Sequence, residues 1–471
     1  MKKYLSVILK SMFTLLAVLA LAAFTGCSDD DDSSSTGPDD GDESFAFFFD
    51  DMIQAGDSVH LSADSNWLMS GFIFVEDGAA LSIEPGTVIR FRPGTGVNAS
   101  ALIIARGGRI WANGTQNNPI ILTAEVDDVD DPNDLGLFDN GLWGGLILLG
   151  DAVVNTPTGI SQIEGIPSDE PRGEYGGNNN SDNSGSIRYI SIRHGGSEIG
   201  AANEINGLTL GGVGNQTTIE YIEIYSNFDD GVEFFGGVPN TKNIAVGFCG
   251  DDAYDYDEGF RGNGQFWFAV QHTDVGNRCG EHDGATGDEQ GAPYAHPIIS
   301  NATYIGSGNS STNSDNDYAI MMRDNAGGEY HNSIFYGFQG SGLHVEDKTG
   351  EAIEHSRSRL EAGDIVFKNN IWHSFGTGNT MNDIFQQDFV RTMMTQESWS
   401  NEVVDPQINS VVRLNTGALN PVPSSGGPAA NAADQPEAAF FQNVSYKGAF
   451  QPGSTSWLDG WTAMHHYGFL Q

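Results

Sequence analysis

Short strand-like segments of four to six residues recur along this chain with Gly or Asn at their ends. That internal repeat restricts the fold more than any single motif. Phe72–Phe91 reads FIFVEDGAALSIEPGTVIRF, and Ala101–Ala124 reads ALIIARGGRIWANGTQNNPIILTA. In both, an apolar strand meets Gly, an alternating strand follows, and Gly-Thr leads into a third; Gly78 and Gly107 lie 29 residues apart. A further member begins at Trp143–Gly150. Downstream, Ile187–Ile192 matches Ile219–Ile224 at a spacing of 32, and Thr241–Val246 follows 22 later. Asn301–Ile305, Asn332–Tyr336, Asn369–Trp372 and Asn443–Tyr446 extend this series. A second series runs through Asn206–Leu210, Asp230–Phe234 and Ser341–Val345.

One such coil cannot bury its apolar face alone, whereas coils of 22–32 residues stacked on one another can, with inserted loops making the spacing uneven. A propeller needs a steadier period and a jelly roll does not repeat. The expectation is an all-β, right-handed parallel β-helix over residues 46–471, with long loop insertions. Gly and Asn at the corners supply left-handed backbone, and equivalent Asn residues are placed to stack as a ladder. Met381, Phe385 and Phe389 predict an amphipathic helix on the side of the solenoid. Asn420–Pro436 reads as a loop, and Trp457–Gln471 as a terminal cap.

Lys2, Lys3 and Lys10 surround an apolar run through Phe13–Ala23, the layout of an export leader. It ends at Phe24-Thr25-Gly26-Cys27, which resembles the lipobox of bacterial lipoproteins. That resemblance implies a signal peptide over 1–27, lipidation of Cys27 and a membrane anchor made of acyl chains. Residues 28–45, rich in Asp, Ser and Gly, read as an extended tether. The acidic run behind Cys27 is similar to surface-export signals of some Gram-negative lipoproteins, and Ser28 is compatible with outer-membrane sorting. The expected location is therefore the outer membrane, facing the cell surface; a solvated spacer on a periplasm-facing lipoprotein is the alternative.

A net charge of −42 excludes electrostatic nucleic-acid binding as the main role, because phosphate is repelled. It favours cations or simple solubility. Beyond Cys27 only Cys249 and Cys279 remain, which predicts one disulfide, with two buried free thiols as the competing reading.

The Ala101–Ala124 coil, Trp143–Gly150, Asp229–Gly237, Glu281–Ala285, Tyr446–Phe450 and Trp457–Trp461 together resemble secreted or lipid-anchored bacterial proteins with a pectin-lyase-like β-helix. The resemblance implies fold and location and no particular reaction.

The densest acidic constellation is Asp229, Asp230, Glu233, Asp251, Asp252, Asp255, Asp257 and Glu258. Crowded carboxylates repel unless a hard cation sits among them, so Asp229, Asp230, Glu233, Asp255, Asp257 and Asp283 are candidate Ca2+ ligands. Asp127–Asp134 and Glu281–Glu289 are further acidic loops, and a solvated acidic surface is the default for all of them. A Ca2+-assisted uronan lyase also needs a base, for which Arg261 is the candidate, against a simpler ion pair with Asp257 or Glu258. With Arg261, Asp230 and Asp257 are the candidate catalytic residues of a lyase or hydrolase. The paired Asp and His194 of a polygalacturonase-like set occur, but no Arg-x-Lys does. His272, His282, His296, His465 and His466 lack zinc-site spacing. Outward members of Phe234-Phe235, Phe266-Trp267-Phe268 and Trp143 would make a carbohydrate platform, and inward ones would fill the core. The favoured reading is a non-catalytic surface lipoprotein that binds glycan, matrix or a partner protein. The alternatives are a lyase or hydrolase of acidic glycans and a purely structural or adhesive protein.

Overall fold

The computed structural model describes residues 45–200, 203–433 and 435–471. The leader with Cys27, and the tether up to residue 44, lie outside the described residues. The rest winds as the expected parallel β-helix, each coil contributing one strand to each of three faces. In the first repeat these are Phe72–Val75, Ala80–Ile83 and Val88–Phe91; in the second, Ala101–Ile104, Arg109–Asn113 and Ile120–Ala124. They pair in parallel as Phe72↔Ala101, Ala80↔Arg109 and Val88↔Ile121. The first face is a nine-stranded sheet from Phe72–Val75 to Ser341–Val345. The two series seen in the sequence are different faces: Asn206–Leu210, Asp230–Phe234 and Ser341–Val345 enter the first, and the Ile-rich segments form the other two.

Faces two and three meet at a corner held in left-handed backbone. Tyr189, Tyr221, Asn243, Phe266, Asn301, Asn332 and Asn369 occupy it in successive coils, with φ between 48° and 59°. The expected Asn ladder is short. Asn369 donates to Asn332 Oδ1, the Tyr189 and Tyr221 rings stack at 4.4 Å, and Asn301 Nδ2 donates outward to Tyr446 O at 2.7 Å. Asn443–Tyr446 is accordingly no rung. It runs outside the solenoid, where the corner amides hold it.

Inside, period-two alternation sends one column of each face inward. Ile104, Leu148, Leu210, Phe234, Tyr256, His282, Met322 and Val345 stand in one such column. Rings stack between coils: Phe91 on Trp143 at 4.0 Å, Phe234 on Phe260 at 4.3 Å, Tyr254 on Trp267 at 4.5 Å. The outward Phe235 and Phe268 are covered by Tyr175 and Phe450, so these aromatics form core rather than an exposed platform. Cys249 and Cys279 do not form the expected disulfide. Both are free thiols that fill the main core as small apolar side chains, and burial raises both above the ordinary thiol range.

The two end pieces exchange their expected places. Met381–Met394 is two short helices, Met381–Ile384 and Asp388–Met394, whose Ile384, Phe385, Val390 and Met394 join the interior core. Phe385 meets Trp372 of the last coil edge-on at 5.0 Å. The break between the helices presents Gln387 to the last strand of the first face. Its Oε1 accepts from Val345 N (2.9 Å) and its Nε2 donates to Val345 O (2.8 Å), so a side chain takes the hydrogen bonds a further strand would make. The C-terminal tail instead lies on the outside of the third face. Leu458, Met464, Phe469 and Leu470 cover Tyr225, Phe248, Phe268 and Val270. Buried Glu223 accepts from Ala463 N (2.5 Å) and Met464 N (3.0 Å), capping the short helix Ala463–His466 from across the interface.

Because Phe385 closes the last coil, Phe385→Ala should lower stability by about 3–5 kcal/mol in chemical denaturation. A loss under about 1 kcal/mol would show that the end does not need this plug.

Candidate functional site

Parallel in-register pairing places like positions of successive coils side by side, about 4.8 Å apart. On the outside of the first face this lines up Thr209, Glu233, Asp255 and Glu281 in one column, and Phe235 with Asp257 in another. The turn that precedes these strands carries Asp229-Asp230 in one coil and Asp251-Asp252 in the next. The second Asp of each pair is a backbone cap. Asp230 Oδ1 accepts from Asp252 N at 2.8 Å, and Asp252 Oδ1 accepts from Arg278 N in the following coil. The first Asp of each pair, Asp229 and Asp251, lines an open cleft of about 560 Å³ with Glu204, Phe138, Phe228 and Val275. Phe138 and Phe228 are 57% and 50% exposed, an apolar rim beside the acids. Carboxylate oxygens of Asp229, Asp230 and Asp251 come within 4.8 Å of one another.

The electrostatics are those of uncompensated crowding. Asp229 is pushed up to about 7, by burial first and then by Asp251, Glu164 and Glu204. Burial and neighbouring carboxylates hold Asp230, Glu233, Asp252 and Asp255 well above the usual range. Asn206 Nδ2 bridges Glu233 Oε2 (2.5 Å) and Glu164 Oε1 (3.1 Å), and Asp255 Oδ1 is buried without a hydrogen-bond partner among the described residues.

Further along the face the protein supplies its own cations. Arg278 pairs with Glu281 (2.6 Å) and Asp317 (3.0 Å), while Arg323 pairs with Glu281 and with Asp283 (2.6 Å). Burial alone would raise Glu281, but a hydrogen bond from Asp252 and the two guanidiniums outweigh it and hold Glu281 below its ordinary value. A second trio of acids, Glu289, Asp324 and Glu346, converges on the Lys348 ammonium at 2.7, 3.1 and 3.0 Å. A protein cation already fills that place.

Of the residues predicted from sequence, Asp229 and Asp230 thus meet Asp251, and Glu233 and Asp255 adjoin them. Asp257 and Asp283 lie at the other edge of the strands, bound to Thr286 and Arg323 respectively. Arg261 is not part of the group. Its guanidinium donates to Gly259 O and Val153 O, both at 3.1 Å, and makes no ion pair with Asp257 or Glu258. Glu258 turns instead toward Tyr175, whose hydroxyl donates to it at 2.5 Å, and burial pushes it up to about 7. It holds left-handed backbone (φ 51°) where the two preceding coils have Gly212 and Gly236. In the Asp127–Asp134 loop, Asp127 is buried against Thr123 and Tyr467, and Asp128, Asp131 and Asp134 accept from the loop's own N–H groups. His194 is buried, with Nδ1 at 2.7 Å from Asp139 O. Sequence reasoning missed Glu164, Glu204 and Phe138, which arrive on inserted loops. Phe228, next to Asp229, was open to notice as an apolar residue in a polar turn.

A family model for the pectate-lyase-like β-helix domain matches residues 53–406. The chain belongs to that family. Comparison with curated proteins and with solved structures finds no match. In this pectate-lyase-like β-helix the acidic columns and the cleft all fall within the matched coils. No helix among the described residues is long and apolar enough to cross a membrane.

A carboxyl group raised from 3.8 to about 7 binds its proton more tightly in the folded than in the unfolded chain. Its stabilising contribution is complete below pH 4 and is lost as pH rises through 7. In chelator, the melting temperature should therefore fall between pH 4 and 7. Asp229→Asn should flatten that fall and add on the order of 1–4 kcal/mol at pH 8. An unchanged pH profile would show that Asp229 is ionised without cost.

Proposed function

We propose that this β-helix is a cell-surface lipoprotein, anchored through a lipidated Cys27, whose cleft takes up Ca2+ and through it holds an acidic glycan without cleaving it. The observation that carries the reading is the contrast between acidic groups. The Glu281–Asp283 group and the Glu289–Asp324–Glu346 trio are neutralised by Arg278, Arg323 and Lys348, whereas Asp229, Asp230 and Asp251 converge with no ion pair to Lys or Arg among the described residues, Arg278 acting on Asp251 only from a distance. A donor set made wholly of hard oxygens suits Ca2+, which takes six to eight of them. Three carboxylates leave positions for water and for ligand oxygens. A chain of net charge −42 repels a polyanion, so a bridging cation supplies the attraction that the protein surface lacks. Exposed Phe138 and Phe228 offer the apolar face of a sugar ring a place to pack.

Binding is favoured over cleavage by the state of the guanidiniums. A lyase needs an unengaged base beside the sugar C5 proton. Arg278 and Arg323 are held in ion pairs, and Arg261 is turned away from the acidic group, donating through Nε and Nη2 to carbonyls.

Thermal unfolding of the mature chain in Ca2+, Mg2+ and EDTA tests the site. Ca2+ at about a hundred times its Kd should add roughly 2.7 kcal/mol, and Mg2+ much less. Asp229→Asn combined with Asp251→Asn should abolish the difference. Polygalacturonate and alginate should then bind in Ca2+ and dissociate in EDTA without loss of chain length. No Ca2+ shift would remove the site, and appearance of unsaturated uronide ends would replace binding by lyase action.

A further inference from the structure

The tail does more than cover the third face. Its tract Ser424–Ala433 is made of Ser, Gly, Pro, Ala and one Asn, side chains too small to fill the space beside a neighbouring segment. That neighbour is Asn443–Pro452, which the solenoid holds at several points. Gln442 N donates to Gln265 Oε1 (2.8 Å), Asn301 Nδ2 donates to Tyr446 O (2.7 Å) and Ala449 N donates to Thr303 Oγ1 (2.9 Å). The small-residue tract is tied to it in turn. Ala432 N donates to Ser445 O (3.2 Å), Lys447 N to Ala429 O (2.8 Å) and Gly453 N to Pro423 O (2.8 Å). Both walls are therefore fixed, and between them lies an open cleft of about 580 Å³, within the range of ordinary ligand sites.

In a chain of net charge −42 this cleft stands apart, because no described residue lining it carries a charge. The side chains of Ser425, Asn443, Ser445 and Gln451 line it, are exposed, and make no hydrogen bond among the described residues. Tyr446 adds an aromatic wall, backed by the Phe266 ring at 6.3 Å. We infer that this cleft binds a neutral glycan chain, with Tyr446 packed against a sugar ring and Asn443, Ser445 and Gln451 taking up its hydroxyls. A sugar hydroxyl both donates and accepts, and amides and serine hydroxyls answer it in both senses. The C–H face of a pyranose is apolar and suits an aromatic ring. A uronate would bring a carboxylate that no cation meets, against the field of an acidic molecule. A peptide asks for an unpaired strand edge or an apolar pocket, whereas these walls spend backbone groups on each other. The cleft lies beyond residue 406, where the family match ends, and shares no residue with the acidic cleft at Asp229 and Asp251.

The test uses the mature chain in EDTA, so that no cation bridges a ligand to the acidic cleft. Cellohexaose, maltohexaose, mannohexaose and N-acetylchitohexaose are titrated in turn by calorimetry, with polygalacturonate as the charged control. At least one neutral chain is expected to bind at a single site. Tyr446→Ala should weaken that binding more than about tenfold, the loss of an aromatic platform. Asn443→Ala combined with Gln451→Ala removes side chains that hold nothing within the protein, and should weaken binding while leaving the melting temperature unchanged. Asp229→Asn with Asp251→Asn should leave neutral-glycan binding intact, so this site and the Ca2+ site are read separately. Failure of all four neutral chains to bind the unaltered protein would overturn the inference. So would binding that survives both the Tyr446 variant and the Asn443–Gln451 pair, or polygalacturonate that binds in EDTA more tightly than any neutral chain.

Discussion

Every coil of this solenoid buries its inward side chains only against the coils above and below, so parallel in-register stacking governs the molecule. The same constraint acts on whatever a column contains. Apolar and aromatic columns gain from it: Phe234 on Phe260, Tyr254 on Trp267 and Phe335 on Trp372 each place a ring on a ring at about van der Waals distance. Acidic columns are harmed by it, since repetition sets like charge on like charge at the strand spacing. Glu233, Asp255 and Glu281 share one column, and Asp229 and Asp251 hold the same turn position in successive coils.

The protein answers this repulsion in three ways. Some acids become structural acceptors, as when Asp230 and Asp252 cap the backbone of the following coil. Others receive guanidinium or ammonium partners from neighbouring coils, as at Glu281 and around Lys348. At Asp229 and Asp251 both devices fall short: burial outweighs a backbone N–H on Asp229, and it outweighs Asn277 and the Arg278 charge on Asp251, so both carboxyls stay raised and open to protons or to an ion from solution. The first two are devices of stability. The third is where a ligand has something to add, which is why the cleft rather than the whole acidic face stands out.

Much of this architecture was legible in the sequence. Alternation within each strand, Gly-Thr between strands and the matching Ile positions of Ile187–Ile192 and Ile219–Ile224 all report local geometry. Register follows from them, because a slip of one residue would turn the Ile columns outward. What a buried face packs against was not legible. The spacing of Met381, Phe385 and Phe389 shows that a helical segment hides one side, and says nothing about whether it lies beside the solenoid or across its end. Adjacent acids at Asp229-Asp230 were readable as a cluster, but the division of labour within the pair depends on hydrogen bonds to the next coil. Arg261 stands apart from the acidic group for a related reason: nearness to Glu258 in sequence leaves the direction of a long side chain undetermined, and two backbone carbonyls claimed it.

The tail that lies along the third face ties the end of the chain to its middle. Glu223 is capped onto Ala463 and Met464 across 240 residues, and Phe469 covers Phe248. Coils can stack in the order in which they leave the ribosome, each on the one before. The outer wall of the central coils cannot. Tyr225, Phe248 and Phe268 stay uncovered until Phe450, Tyr467 and Phe469 have been made, so a growing chain carries a wet apolar stripe long after the coils that bear it are built. Ala449, Phe450, Leu458, Met464, Phe469 and Leu470 therefore close a wall that stacked coils leave open, and a chain with every coil but without them would show the apolar stripe to water.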